Sequence, residues 1–460
     1  MQGIDVRQWT GFSGCEGLLP EFIGSERPWE RSVGFRQPAP TYKTQQSALT
    51  GKEAYPKPHE STRSNRAAHV SKRYSTTAPI RPRVGKSLGI GSTFQFPKGG
   101  LVISKLFALR TSRSDQKMIK PLTPIICILL ISGCGITLWM PGRNYSGPFL
   151  PLTQQEEEIR GRVVTHVEML AGDIGPRNLW QADGLEAAAQ YITEVLQNMD
   201  YEVRLLGYDA EECLYGDCRT GRVNNIEVEL KGERNPDEIV VVGAHYDSVS
   251  GFSQMFSTPG ADDNASGVAA LLELARLLRS ESSGRTIRLV FFVNEEPPFF
   301  KTEQMGSRVY ARDLAELGAN VVAMISLDML GVYSEERGSQ DVPGLLSWVY
   351  PNTANFVSFV GDGASAALVQ DSIRAFRAHI QFPSEGIAAP ADQFTGIDWS
   401  DHWSFAKEGY PAIMITDTSF YRYPDYHEPG DVPANLDFDR LARVTHGLSM
   451  MLLDLARFSR

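Results

Sequence analysis

Two histidines and five carboxylates set the chemistry open to this sequence. They are His245 in GAHYDS, Asp262 and Asp263 in GADDNASG, Glu295 and Glu296 in NEE, Asp328 in SLDM and His427 in YHEPGD. Singly, each is bland: a histidine at a strand end is usually a loop residue, and an aspartate before a helix usually caps it. Jointly they are not bland, because stability does not ask imidazoles and carboxylates to gather at the ends of apolar strands. Zinc takes histidine nitrogen and carboxylate oxygen, and keeps a position open for water where it is catalytic. Two such ions about 3.5–4 Å apart need a bridging carboxylate and can share one water. Three carboxylates and two neutral imidazoles nearly neutralise two divalent cations, and a shared hydroxide closes the balance. The adjacent glutamates then divide the labour. One can hold a metal, and the other, one peptide away, faces the water as a base. Pro297 and Pro298 fix the backbone where that division must be accurate.

The elements that must bring these side chains together alternate in type. EEEIRGRVVTHVEMLAG, LEAAAQYITEVLQNM, ASGVAALLELARLLRSE, GSRVYARDLAEL, residues 364–378 and DFDRLARVTHGLSMMLLDLARF have helical spacing. YEVRLLGY, NNIEVELKG, EIVVVGAHYD, TIRLVFFVNEE, NVVAMISLDM and PAIMITDT read as strands. Strands that are nearly all Val, Ile, Leu and Phe are buried on both faces. The expected fold is therefore α/β: a three-layer sandwich with a central, mostly parallel mixed sheet and helices on both faces. Ligands in such sheets sit outside the carboxyl ends of the strands, where these residues fall.

The chain has 460 residues and a net charge of −10. The first 117 residues carry 19 Lys and Arg against 8 Asp and Glu, so the remainder is strongly acidic, which argues against a nucleic-acid enzyme. Residues 1–117, rich in Ser, Pro, Gln, Arg and Gly, read as a disordered basic extension that need not belong to the native protein. Met118 opens a second start, and residues 118–142 read as a membrane anchor or signal segment. Within it residues 121–140 carry no charge, enough to span a bilayer, and Lys117 and Lys120 precede them. This places the catalytic body outside the cytoplasm, periplasmic or extracellular. A cleaved signal peptide and a lipoprotein, with LISGC ending at Cys134, are the alternatives. Residues 143–154 read as a linker and 155–460 as the catalytic domain. No cysteines have CxxC spacing, and Cys213 and Cys218 could bridge if the domain is exported.

GAHYDS, GADDNASG, NEE, SLDM and YHEPGD, in this order, resemble the di-zinc aminopeptidases of the bacterial leucyl-aminopeptidase type. Their superfamily includes glutamate carboxypeptidase, the glutaminyl cyclases and the transferrin receptor ectodomain. The resemblance covers roughly residues 155–458. It implies two zinc ions per chain, with manganese or cobalt as substitutes. His245 and Asp328 would hold one ion, Glu296 and His427 the other, and Asp262 would bridge. Glu295 would be the general base, Asp247 would orient the His245 imidazole, and Tyr426 would donate to the oxyanion. Asp263 is left as a helix-start residue or as a partner behind the metals, and His402 in SDHWSF as a partner behind the metals or a structural residue.

The chain departs from the family after the glutamate pair, where PPFFKTEQ intervenes before Met305. Phe299 and Phe300 there are either walls of the substrate pocket or covered core. Residues 332–400 are idiosyncratic, so side-chain preference does not carry over, and oligomeric state stays open. The function expected is a metal-dependent exopeptidase acting on the N-terminal residues of peptides. Two other classes share the fold: a glutaminyl-cyclase-like acyltransferase with one zinc, and a non-catalytic binding ectodomain. Asn264, Gly267 and Tyr426, with a complete ligand set and base, favour the peptidase.

Overall fold

The structure, a computed structural model, describes residues 136–214, 217–250 and 258–457. Eight strands form one mixed sheet: β1 (Arg204–Leu214), β2 (Asp217–Leu230), β3 (Asn235–His245), β4 (Arg285–Phe292), β5 (Asn320–Leu327), β6 (Val357–Gly361), β7 (Ser384–Ala388) and β8 (Ala412–Thr416). Their order is β1-β2-β4-β3-β5-β8-β6-β7. The centre, β4-β3-β5-β8, is parallel, while the β1–β2 hairpin and the β8–β6 pair run antiparallel. In a parallel group all carboxyl ends share one edge, which is what the ligand pattern requires. The helices are α1 (Gln154–Val167), α2 (Ala182–Gln197), α3 (Gly267–Leu278), α4 (Gly306–Glu316), α5 (Ala366–His379), α6 (His402–Lys407) and α7 (Phe438–Arg457).

The period of two along β3 divides the core. Val240, Val242 and Ala244 join the larger apolar cluster with residues of α1, α2, α3, α5 and α7. Ile239 and Val241 face a second cluster with Tyr310, Ala311 and Leu314 of α4 and Phe405 of α6. The expected three-layer sandwich is therefore present. β6 and β7 are additions: both lie in the stretch 332–400, where the sequence shows a helix over 364–378 but no strand.

Of the expected span 121–140, all but residues 136–140 lies outside the described residues, as does the basic region 1–117. Those last residues pack on the domain. Thr137 exchanges backbone hydrogen bonds with Ala388 at the edge of β7, and Ile136 and Leu138 lie on the apolar cluster around Val360, Ile387 and Met414. Residues 143–154, expected to link, also run along the body. Asn144 bonds Glu385 and Ser384, Phe149 packs on Phe382, and Thr153 caps α1 in a capping box with Glu156. Among the described residues, no helix is long and apolar enough to cross a membrane. Cys213 and Cys218 face each other across the β1–β2 hairpin and form a disulfide.

Candidate metal centre

His245 ends β3, Glu295 and Glu296 follow β4, and Asp328 follows β5. The register sets His245 beside Phe292, so the three strand exits open at one level. The exits are bent by residues in left-handed conformations: Asn294 (φ 58°) just before Glu295, Met329 (φ 62°) just after Asp328, and His427 itself (φ 59°). Such backbone is costly for residues with a Cβ and is retained mainly where function holds it.

Two triads of side chains result. In the first, His245 Nε2 lies 3.3 Å from Asp263 Oδ1 and 3.7 Å from Asp328 Oδ1. In the second, His427 Nε2 lies 3.2 Å from Asp263 Oδ2 and 3.2 Å from Glu296 Oε2. The two oxygens of Asp263 thus serve one triad each. Glu295 belongs to neither, and its Oε2 stands 3.9 Å from His245 Nε2. Four of the five residues expected to be ligands are gathered here, with the expected base beside them.

Asp262 is not. Its Oδ1 accepts the Gly331 amide at 2.7 Å, and the carboxyl group abuts Asp417 instead of any histidine. Burial, with Asp417 and Asp431 nearby, pushes the Asp262 carboxyl well above the usual carboxylate range. For Asp263 burial acts in the same sense, but His245 and His427 overrule it and hold that carboxylate below the usual range. The geometry therefore moves the shared position from Asp262 to Asp263. The reason is local: Asp263 (φ −108°, ψ 85°) and Asn264 (φ −135°, ψ 41°) are not helical, and that break turns Asp263 into the site.

The supporting shell combines Asp247, expected behind His245, with Asp401 and Asp431, for which the sequence suggests no role. Asp247 accepts the amides of both Glu295 and Glu296 at 3.1 Å, and its Oδ1 lies 3.6 Å from His245 Nδ1, so one carboxylate orders three site residues. Asn264 donates to Leu327 O and accepts from the amides of Met329 and Gly267, stapling the Asp263 loop to the residues flanking Asp328. Asp431 accepts the amides of Asp262 and Asp263 at 2.8 and 3.1 Å. Asp401 is fully buried behind the site, and burial lifts its carboxyl to about 7. His402 Nε2 donates to Ile397 O at 2.7 Å and stays out of both triads.

The electrostatics ask for cations. Burial alone would lower His427, yet Glu296 and Asp263 raise it to about 11. Burial pushes Glu296 up to about 7, and pushes Glu295 well above the carboxylate range with help from Asp328, Glu296 and Asp401. A buried cluster this acidic is tolerable only with protons or metal ions among its oxygens. His245 Nε2 and Glu296 Oε1 are buried atoms with no hydrogen-bond partner. Imidazole nitrogen and carboxylate oxygen at these separations fit a pair of divalent ions of the zinc type. A cavity of about 260 Å³ opens onto the site, bounded by Glu295, Glu296, Asp328, Phe300, Trp399 and Tyr426. The Tyr426 ring stacks on His427 at 3.9 Å between centroids. Phe299 is core and Phe300 is wall, so the two aromatics divide between the roles open to them.

Comparison with known proteins places the chain in a family. Residues 225–452 match peptidase family M28. The chain is 37% identical over 289 residues to Escherichia coli K12 YfbL, covering 62% of this chain and 85% of that protein. It is 24% identical over 269 residues to leucine aminopeptidase 1 of Metarhizium robertsii, covering 55% of this chain and 60% of that enzyme. BSAP, a zinc aminopeptidase from Bacillus subtilis, superposes with a TM-score of 0.50 at 17% identity, covering 65% of this chain and 95% of BSAP, a likeness of fold. The chain belongs to peptidase family M28, and with that membership is a zinc-dependent hydrolase.

Proposed function

We propose that the protein is an aminopeptidase that uses two zinc ions to hydrolyse the first peptide bond of its substrates. The observation that carries this reading is the division of the Asp263 carboxylate, one oxygen to the His245–Asp328 side and one to the His427–Glu296 side. Bound there, a zinc pair would polarise the scissile carbonyl and bring a water toward its ionised form near neutral pH. Glu295, outside both ligand sets and inside the cavity, takes the proton of that water and delivers it to the leaving amine. Tyr426, on the cavity wall, donates to the carbonyl oxygen as charge gathers on it. Asp247 keeps His245 and the glutamate pair aligned through the contacts above. The substrate's free amine, a cation, is held by the acidic cavity edge at Glu295 and Asp328. An apolar chamber of about 110 Å³ shares Gly396, Met414, Thr416 and Phe420 with this cavity, which suits an apolar first residue.

The zinc-loaded protein should cleave aminoacyl amides and short peptides, and a chelator should abolish the activity. Acetylating the N-terminus of the same peptides should remove turnover. Undiminished cleavage of blocked peptides contradicts the aminopeptidase reading.

We also propose that the domain works outside the cytoplasm, supported by the Cys213–Cys218 disulfide. Because residues 136–140 pack on the domain, the uncharged run left for a membrane is 121–135, short of the ~20 residues a helix needs to span. That length suits the apolar part of an export signal, and LISGC then favours a lipid anchor at Cys134. Cell fractionation should find the chain with membranes and the C134S form released from them. A C134S form that stays membrane-bound contradicts the lipid anchor.

A further inference from the structure

Arg177, between α1 and α2, is fully buried, and its guanidinium binds main-chain carbonyls throughout. Nε donates to Tyr246 O at 2.9 Å. Nη1 donates to Leu170 O and Gly175 O at 3.0 Å and to Pro259 O at 2.5 Å, and Nη2 to Gly260 O at 2.9 Å. The Arg177 backbone completes the grip, its amide donating to Ser248 Oγ and its carbonyl accepting the Ser248 amide. The segments seized in this way adjoin the metal centre on two sides. Tyr246 and Ser248 bracket Asp247, directly after His245, while Pro259 and Gly260 lead into Asp263.

On the far side of that second segment stands the opposite charge. Asp431 accepts the amides of Asp262 and Asp263, and its own carbonyl accepts the Ala261 amide. The loop that carries Asp263 is thus held by a cation at its carbonyls and an anion at its amides. Gly260 makes the approach feasible: it sits at φ +63°, and a Cβ there would lie 2.3 Å from Asp263 O and 3.0 Å from Arg177 Nη2. Arg177 is also a buried positive charge among Asp431, Asp247, Asp263 and Glu296, and although burial lowers its pKa to about 10 it remains charged at neutral pH.

We infer that Arg177 is a positioning residue for the metal pair, fixing the Asp263 loop against the His245 strand so that both oxygens of Asp263 reach their triads. The inference rests on the reading of Asp263 as the ligand common to both ions. A lysine can reach only some of these carbonyls, since its single ammonium lacks the planar fork of a guanidinium. A methionine can reach none.

The test measures zinc affinity of the full chain by chelator competition, together with the rise in Tm that zinc produces. Circular dichroism of each variant checks folding. The wild type should take up two zinc ions per chain. R177M should lose affinity by about 10–100-fold, the range seen when groups behind a metal ligand are removed, and its zinc-induced rise in Tm should shrink in step. R177K should lie between the two. D431N, which loosens the same loop from its amide side and keeps the buried cation, should also lose zinc affinity. R177M or R177K with wild-type zinc affinity and an undiminished zinc-induced rise in Tm overturns the inference, even if the metal-free Tm falls, because that pattern belongs to a residue that only stabilises the fold. Should R177M fail to fold, R177K and D431N decide on the same readout. A wild type that takes up one ion or none contradicts the two-zinc reading itself, a result separable from any change at Arg177.

Discussion

D263N should empty both metal positions, whereas D262N should keep them. Among the described residues the Asp263 carboxylate alone has an oxygen in each triad, so its loss would remove a ligand from both proposed ions at once. Groups behind a ligand typically cost 10–100-fold in metal affinity when mutated, and a ligand common to two ions should exceed about 100-fold. Asp262 sits one residue earlier, but its carboxyl faces the Gly331 amide and Asp417, away from both histidines. Asparagine there preserves a hydrogen-bonding group of the same size and should leave the zinc content near wild type. Elemental analysis of the two dialysed variants checks the pair. The opposite result, zinc lost in D262N and kept in D263N, would return the bridge to the first aspartate.

E295Q should abolish turnover and spare the metals. Glu295 is in the cavity, beside His245 but in neither ligand set. General bases contribute about 10²–10⁴-fold, and glutamine of the same shape cannot take a proton. The loss should fall on kcat, with zinc content unchanged. Glu296, one peptide away, differs sharply, since its Oε2 lies 3.2 Å from His427 Nε2. E296Q should therefore lose metal as well as rate. An E295Q form with wild-type kcat refutes the base assignment.

The strand ends were legible because β3, β4 and β5 are buried on both faces, and unbroken Val, Ile, Leu and Phe runs announce that burial. Whatever polar group ends such a run is delivered to one edge of the sheet. β6 and β7 are not legible because VSFVG and SEGIA are short and diluted by Ser, Gly and Glu, whereas the equally short AIMIT of β8 is almost wholly apolar. The choice between Asp262 and Asp263 was not legible for a different reason. Adjacent residues share composition and context, and only the non-helical turn at Asp263 and Asn264 decides which side chain enters the site. The shell residues Arg177, Asn264, Asp401 and Asp431 are polar residues in loops or next to them. Their burial comes from tertiary packing, which leaves no periodic trace.

With zinc bound as proposed, Asp263 would join two cations. Crystals of the zinc-loaded protein, measured at the zinc absorption edge, test it most directly. The account predicts two anomalous peaks about 3.5–4 Å apart, one beside His245 and Asp328 and one beside His427 and Glu296, with Asp263 between them. A single peak, or a pair bridged by Asp262, would contradict it.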